Sequence, residues 1–293
     1  MDTRVETLRI KLAAMGYIAD NDLVTTLIIM ERLGRPLLVE GEAGVGKTEI
    51  AKVLAKIHGC PLIRLQCYEG LDTNAAVYEW NYTHQLLSIK LQEGSHESIE
   101  QRESNIFSEQ YLLERPLLKA IRQSISPVLL IDEIDRTDEA FEAFLLELLS
   151  DFQISIPELG TINAQSVPRV VLTSNSTRDL SDALRRRCLY HYLDYPSPAK
   201  ELLIVHSKIP DMDKILANQI VLFIHKLRTA ELRKNPGVAE TLDWSAALHS
   251  MNVKNLKDNL DTIYQTRSCL LKTQDDISAI NKPFLNQLLE TIN

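Results

Sequence analysis

The stretch Gly41–Ile50, GEAGVGKTEI, follows the apolar run PLLVE at residues 36–40 and precedes an amphipathic segment. Its first eight residues fit the pattern G-x-x-x-x-G-K-[ST], in which glycines let backbone N–H groups point at phosphate oxygens without obstruction. A strand before this pattern and a helix after it favour a phosphate-binding loop over a glycine-rich turn that matches by chance. We expect Lys47 to neutralise β- and γ-phosphate oxygens, and Thr48 to place its hydroxyl on Mg²⁺. The loop residues predicted to bind the nucleotide are Gly41, Glu42, Ala43, Gly44, Val45, Gly46, Lys47 and Thr48.

Short apolar runs alternate with amphipathic segments over the first two-thirds of the chain. The segment at 47–59 has apolar residues at helical spacing and ends at a glycine, which predicts a helix. Continuous rather than alternating apolar runs predict strands of a parallel sheet that is covered on both faces. These runs lie at 36–40, 61–67, 127–135 and 169–175. Strand and helix alternation predicts a doubly wound α/β fold.

The pattern changes after the prolines of YPSP at 195–198. Residues 199–293 show no convincing strand and predict four or five helices, so we expect an α/β core over residues 1–197 and an all-α domain over 198–293. Residues 72–108 lie between the second and third predicted strands and predict an inserted hairpin and loop. Three aromatic side chains argue against a disordered connection there. They are Tyr78, Trp80 and Tyr82.

Composition argues against several classes of protein. The chain has 293 residues, of which 45% are hydrophobic and 25% charged, as expected of a globular protein. A net charge of −8 argues against non-specific nucleic-acid binding. The four cysteines form no Cys-x-x-Cys pair, which argues against zinc and favours a reducing compartment. Since no long apolar stretch or signal peptide is apparent, we expect no membrane span and a cytoplasmic location.

Two adjacent acids follow the apolar residues of VLLIDEID, at the predicted carboxyl end of a strand. In open α/β sheets, ligands bind at the carboxyl ends of the strands. We expect Asp132 to hold Mg²⁺ through water and Glu133 to act as the general base that activates a water molecule. The alternative is a solvated strand terminus. Asn175 ends another apolar run and could orient the same water, although a lone Asn in such a place is usually a turn residue.

Three consecutive arginines, residues 185–187, end a short helical segment. An arginine there could reach the γ-phosphate held by a neighbouring subunit, and Arg186 and Arg187 are the candidates for this role. The alternative is favourable charge at a helix C-terminus, which explains one arginine more easily than three.

These motifs, in this order, resemble those of AAA+ ATPases: Walker A, Walker B, a sensor-1 Asn, an arginine finger and a helical lid. The resemblance covers nearly the whole chain. Within that family the chain is similar to the MoxR branch, and it looks more specifically like the CoxD-type members, which are linked to maturation of carbon monoxide dehydrogenase, a molybdenum enzyme. The stretches that carry this finer resemblance are YEGLDTNAAVYEWNY, ERPLLKAI, LLELLSDFQISIPELGTI and KNPGVAETLDW.

The resemblance implies a hexameric remodeller that is driven by ATP with Mg²⁺. It also implies a partner with a von Willebrand factor A domain and a protein client, for which a molybdenum enzyme is a candidate. The family's segment before the first strand lines the adenine pocket and is similar to GYIADNDL, which nominates Tyr17 and Ile18. The insert at 72–108 corresponds to one that faces the ring's pore, so Trp80 and Tyr82 could grip a client or simply pack on their own domain.

One departure from the family pattern concerns the lid. Glu240 falls where many AAA+ lids present the sensor-2 arginine to the nucleotide. A carboxylate cannot contact a γ-phosphate favourably. Either Arg228 or Arg233 takes over the function, or the function is absent.

Three functions follow from these observations. The first is an ATP hydrolase that converts nucleotide state into motion between subunits. The second is a nucleotide-gated scaffold in which turnover is incidental. The third is a DNA-directed motor, which the acidic charge balance and the lack of a helix-turn-helix motif disfavour.

Overall fold

The computed structural model describes residues 3–91 and 105–292. The chain forms two compact units. We call residues 22–40 and 51–191 the sheet unit, and residues 1–21, 41–50 and 192–293 the helical unit. The division into a core at 1–197 and a lid at 198–293 remains a prediction.

Most of the described chain is helical. The helices are α1 (Thr3–Ala14), α2 (Asn21–Leu33), α3 (Lys47–His58), α4 (Thr73–Ala76), α5 (Tyr82–Leu91), α6 (Pro116–Ile121), α7 (Glu139–Asp151), α8 (Asp182–Arg187), α9 (Pro198–Lys208), α10 (Lys214–Leu227), α11 (Val238–Ser250), α12 (Leu260–Thr266), α13 (Gln274–Ala279) and α14 (Lys282–Glu290). The strands are β1 (Leu37–Glu40), β2 (Leu62–Gln66), β3 (Tyr78–Trp80), β4 (Leu112–Glu114), β5 (Val128–Asp132), β6 (Gln153–Ile156), β7 (Gly160–Asn163), β8 (Arg169–Ser174) and β9 (Leu189–Tyr192).

A five-stranded sheet in the order β2-β5-β8-β1-β9 confirms the predicted α/β fold. The pairs β2–β5, β5–β8 and β8–β1 are all parallel, so their carboxyl ends lie at one edge. The central strands β1 and β5 are buried at every residue, as their continuous apolar runs predicted. Strand β2 instead alternates between exposed and buried residues, because it lies at the end of the sheet.

The insert differs from its prediction. Strand β3 pairs antiparallel with β4, which lies beyond the predicted limit at residue 108, and the helix α5 intervenes. A hairpin confined to 72–108 is therefore wrong. The reason is that β3 takes its partner from a segment that is distant in sequence. The polar loop predicted within this insert lies mostly outside the described residues.

The helical unit has its own core. Trp244 is fully buried, and its ring lies 5.0 Å from that of Phe223 between centroids. Six α-helices, α9–α14, lie within the described part of residues 198–292, one more than the upper predicted number, and no strand occurs there. In the described parts of the chain, every helix is too short or too polar to cross a membrane.

Candidate active site

The predicted phosphate loop runs from the end of β1 to the start of α3. Gly44 and Gly46 have φ angles of 76° and 99°, in the left-handed region that favours glycine. Gly41 has a φ of 155°, and a Cβ atom there would also lie 2.1 Å from the backbone oxygen of Leu193. The glycines of the motif are thus needed for conformation at all three positions, and at Gly41 for space as well.

Lys47 lies within this loop. It is buried, and its Nζ donates hydrogen bonds to the backbone oxygens of Gly41 at 2.7 Å and Glu42 at 2.6 Å. Phosphate oxygens would offer the ammonium group charged acceptors in place of these neutral ones, which is the stronger interaction. The loop therefore fits a phosphate ligand.

Tyr17, a predicted adenine-pocket residue, lies beside the loop in the helical unit. Its Cε2 is 4.0 Å from the position that a Cβ atom would take on Gly46. Burial raises the pKa of the Tyr17 phenol, and the carboxylates of Asp20 and Glu49 raise it further. The phenol is therefore neutral at physiological pH. Ile18 follows Tyr17 in the chain and is half-buried.

In the sheet unit, Asp132 ends β5 and is buried. Its Oδ1 accepts a hydrogen bond from the hydroxyl of Thr173 at 2.6 Å. Its Oδ2 accepts two from Arg64, from Nε at 3.1 Å and from a terminal nitrogen at 2.5 Å. Both carboxylate oxygens therefore have partners, which is what a buried charge requires.

Glu133 follows in a left-handed conformation, with φ of 58° and ψ of 51°. Such a conformation is uncommon outside glycine, and it often occurs where the surrounding structure imposes it for function. The backbone N–H of Glu133 donates to the hydroxyl of Thr173 at 2.9 Å. Its carboxylate accepts hydrogen bonds from Gln66 at 3.2 Å and forms an ion pair with Arg136 at 2.8 Å. These two partners hold the predicted base in place.

The segment after β8 contains Asn175, which is half-buried and lies at the same edge of the sheet. Asp135 ties this segment down, since it accepts hydrogen bonds from the Thr177 N–H at 3.0 Å and hydroxyl at 2.7 Å. Burial opposes ionisation of Asp135, but the bonds from Thr177 and the nearby backbone hold its pKa below the usual value. Asp135 is therefore ionised at neutral pH.

The surroundings of Cys67 show that carboxylates make this edge of the sheet negatively charged. Its backbone N–H donates to the oxygen of Asp132 at 2.8 Å. Burial raises the pKa of its thiol to about 12, and the carboxylates of Asp132, Asp135 and Glu133 contribute. A negative potential of this kind favours a cation. Within the described residues no group of three or more His, Cys, Asp or Glu side chains is arranged to hold a metal ion.

The three arginines at the end of α8 have different surroundings. Arg185 forms an ion pair with the buried Glu40 at 3.1 Å. Arg187 donates to the hydroxyl of Ser150 and to a backbone oxygen of its own helix. Arg186 is exposed. Of the two predicted finger residues, Arg186 is thus the more accessible.

Arg35, which precedes β1, supplies the positive charge at the C-terminus of α8. Its guanidinium donates to the backbone oxygens of residues 186, 187 and 188 at 2.6, 3.3 and 3.4 Å. Favourable charge at this terminus therefore comes from outside the arginine run, and it does not explain the exposed Arg186.

The predicted substitutes for a sensor-2 arginine already have partners in the helical unit. Arg228 binds both oxygens of the buried Glu201, at 2.7 and 2.8 Å, and lies over the ring of Tyr195. Arg233 pairs with Asp275 at 2.9 Å on the surface. Glu240 accepts a hydrogen bond from the Gly237 N–H at 3.0 Å and so caps α11. The contacts of Arg228 give it a structural function.

The aromatic residues of the insert differ in exposure. Trp80 is buried, with its ring edge-on to those of Tyr78 and Phe107 at centroid distances of 6.0 and 5.5 Å. Ordinary packing therefore accounts for Trp80, and its candidacy as a client-gripping residue is wrong because the residue is buried in its own domain. Tyr82 is 63% exposed and keeps its candidacy.

Four residues of these sites were not found from the sequence: Glu40, Arg64, Gln66 and Thr173. Each acts through a partner on another strand or helix, so its importance depends on sheet register. The sequence offered two signals. One is the pair of polar residues at alternate positions of RLQ in β2, and the other is the Thr two residues before the Asn in VVLTSN.

Comparison with known proteins identifies the family to which this fold belongs. Residues 36–188, more than half of the chain, match the AAA domain of the dynein-related subfamily. The gas vesicle ATPase GvpN of Haloferax mediterranei is 25% identical over 257 residues, which cover 81% of this chain and 67% of that protein. An uncharacterised protein of Staphylococcus aureus is 27% identical over 207 residues, 67% of this chain and 70% of its own. A similar uncharacterised protein of Staphylococcus epidermidis is 24% identical over 205 residues, 68% of this chain and 70% of its own.

Proposed function

We propose that this chain, which belongs to the AAA domain family in its dynein-related subfamily, hydrolyses ATP and uses the reaction to remodel another protein. The observation that supports hydrolysis most directly is the acid pair at the carboxyl end of β5, where Glu133 is held in a left-handed conformation. A protein that only bound nucleotide would need the phosphate loop but not a positioned general base.

In the proposed reaction the backbone N–H groups of residues 41–48 and the Lys47 ammonium bind the nucleotide phosphates. Asp132 and Thr48 are the residues that would hold Mg²⁺, which supplies charge stabilisation to the phosphate oxygens. Glu133 accepts a proton from the attacking water, and Asn175 orients that water. Chain connectivity supports this assignment, because the loop begins directly after β1 and the carboxyl ends of β1, β8 and β5 share one edge.

The finer proposal is a MoxR-type remodeller of CoxD character that forms a hexameric ring. It acts on a metalloenzyme client, with a molybdenum enzyme as the candidate, together with a partner that carries a von Willebrand factor A domain. Sequence resemblance supports this proposal, and the similarity to the ATPase GvpN supports its general class. Four free cysteines are in keeping with a cytoplasmic location.

The alternative of a nucleotide-gated scaffold makes a different prediction for one variant. In Glu133→Gln the amide cannot accept the proton from water, so we expect the ATPase kcat to fall by about 10²–10⁴-fold. ATP binding should stay within about threefold of the wild type, because Glu133 is not assigned to the phosphates. Steady-state turnover and nucleotide titration of the purified protein measure both quantities.

Glu290→Gln is the matched control, since Glu290 is exposed near the end of α14. Turnover that survives in Glu133→Gln would contradict the assigned base. Client activation that survives while turnover is lost would favour the scaffold. The same variant, which should retain ATP, is also suited to capturing the client by affinity purification. A salt-dependent shift of DNA would revive the DNA-directed motor.

A further inference from the structure

The start of α11 contacts the phosphate loop backbone within the helical unit. The N–H of Ala239 donates a hydrogen bond to the backbone oxygen of Gly44 at 3.2 Å. A Cβ atom on Gly237 would lie 2.8 Å from the oxygen of Ala43 and 2.9 Å from the Cα of Gly44. Real Cβ atoms essentially never come so close to backbone atoms. No side chain larger than that of glycine therefore fits at residue 237 unless the phosphate loop moves.

Gly237 is needed for space and not for conformation. Its φ of −81° and ψ of −174° are extended values that any residue adopts. An alanine would therefore suit the backbone, but its Cβ atom would clash with the phosphate loop and would lie 3.0 Å from Oε2 of Glu240. This separates Gly237 from Gly44, whose positive φ requires glycine whatever surrounds it.

Glu240 lies against the same part of the loop. One oxygen, Oε2, accepts the hydrogen bond from Gly237 N–H and lies 2.9 Å from the position of a Cβ atom on Gly44. A carboxylate thus occupies the site where an arginine was expected. Its charge is stabilised by the N-terminus of α11, which favours anions. The same charge must oppose a negatively charged ligand at the loop.

Hydrogen bonds from the core of the helical unit hold the turn that leads into α11. Arg228 donates from Nε to the backbone oxygen of Pro236 at 2.8 Å. The other guanidinium nitrogens of Arg228 bind Glu201, which is fully buried and also accepts a hydrogen bond from Thr241 at 2.5 Å. These hydrogen bonds hold the turn on the core of the helical unit. The turn therefore restrains the part of the phosphate loop that it contacts.

We infer that Gly237 and Ala239 position residues 43 and 44 of the phosphate loop, and that the Glu240 carboxylate weakens nucleotide binding by repelling the phosphates. The inference rests on the proposed function, since it concerns the binding of ATP and ADP at that loop. Residues 237–240 then act on the nucleotide through the loop backbone and through charge, in place of the cation–phosphate contact that a sensor-2 arginine would make. Gly237 and Ala239 are positioning residues, and Glu240 acts through its charge.

Glu240 caps α11, so its effect as a helix cap must be separated from the effect of its charge on the nucleotide. Glu240→Gln keeps the cap, because the amide oxygen can accept the same bond from Gly237 N–H. It removes the charge alone. We expect the Kd for MgATP to fall by at least about threefold, and the Kd for MgADP to fall less, because MgADP carries less negative charge than MgATP. The difference from wild type should shrink as salt is raised.

The positioning function predicts a change of opposite sign. Gly237→Ala should raise the Kd of ATP and ADP alike by at least about tenfold, because residues 43 and 44 must move and the loop N–H groups are displaced. Ala239→Pro removes the N–H that reaches Gly44, and proline is tolerated in the first turn of a helix. We expect it to raise both Kd values by about threefold.

Titration of the purified full chain with a fluorescent nucleotide, competed by ATP or ADP at two salt concentrations, measures all of these values. Asn281→Ala is the matched control, because Asn281 caps α14 in the same unit without touching the loop. Its Kd values should equal those of the wild type. Circular dichroism identifies a variant that has not folded, and Ala239→Pro replaces Gly237→Ala in that case.

Unchanged affinity and salt dependence in Glu240→Gln would overturn the charge effect. Wild-type affinity in both Gly237→Ala and Ala239→Pro would overturn the positioning function. If the wild type itself bound no ATP, the proposed function would fail instead, so the two failures are distinguishable.

Discussion

At the scale of single residues, the pair of Asp132 and Arg64 has a direct consequence for metal binding. The guanidinium of Arg64 occupies Oδ2 of the carboxylate that is proposed to hold Mg²⁺. The side chain of Arg64 is half exposed, so the pair is partly screened by solvent. Binding of Mg²⁺ to Asp132 must therefore compete with a modest ion pair.

Arg64→Gln should relieve this competition. We expect the Mg²⁺ concentration that gives half-maximal ATPase activity to fall by at least about threefold, because the Arg64 guanidinium no longer competes for Oδ2. Without Mg²⁺ the variant should be less stable, since a buried carboxylate has lost a partner, and MgATP should restore its melting temperature. Arg115→Gln, which breaks a surface pair with Glu79, is the control. An unchanged Mg²⁺ requirement would contradict this competition, and a higher one would mean that Arg64 assists metal binding.

Residues with motif spacing were predictable from the sequence, and their partners were not. Asp132 and Glu133 stand out because two acids after four apolar residues are rare in a buried strand. Thr173 binds both of them, yet it is recognisable only from the register that places β8 beside β5. Glu40 is found likewise only through its contact with Arg185. Local sequence carries no information on such cross-strand neighbours.

At the scale of elements, the strength of the strand signal followed burial. Strands β1, β5 and β8 were predicted because central parallel strands need apolar residues on both faces. Strand β9, LYHY, alternates between half-buried and exposed residues and was missed for that reason. The β6–β7 pair was missed because half of its residues are polar. These strands are short and partly exposed, so they lack the continuous apolar run that marks a central strand.

The contact between α9 and α10 depends on a buried ion pair, Glu201 with Arg228. Arg228→Met should destabilise the helical unit by about 3–5 kcal/mol, because it leaves Glu201 charged, buried and without its main partner. Arg228→Met combined with Glu201→Leu should recover much of this loss, because the unpaired charge is gone.

The two tryptophans allow the helical unit to be monitored alone. Trp244 lies in its core, and Trp80 lies in the sheet unit, so urea unfolding is followed by fluorescence in a Trp80→Phe background. Arg233→Met is the control, since its pair with Asp275 is exposed, and we expect no measurable change. A similarly small effect of Arg228→Met would contradict the buried-pair argument.

At the scale of the whole molecule, the phosphate loop and composition were enough to predict the class of fold, and assembly is the level that sequence leaves open. A head-to-tail ring presents a different surface of each subunit to its neighbour, so a residue can complete a site that lies on the next copy. Arg186 is suited to this function because it is exposed, while Arg185 and Arg187 have partners in their own chain.

Complementation between two inactive variants tests this arrangement. Arg186→Ala should reduce kcat by about 10³-fold if the guanidinium stabilises charge on the transferred phosphoryl group. Lys47→Ala should bind no ATP but still offers Arg186 to its neighbour. An equal mixture, dissociated and reassembled, should regain about a quarter of wild-type activity, because half of the subunits bind ATP and half of those meet an intact arginine. A mixture with Arg115→Ala in place of Arg186→Ala controls for reassembly. Activity no greater than the sum of the separate variants would place the arginine in its own subunit's site, and full activity of Arg186→Ala alone would transfer the candidacy to Arg187.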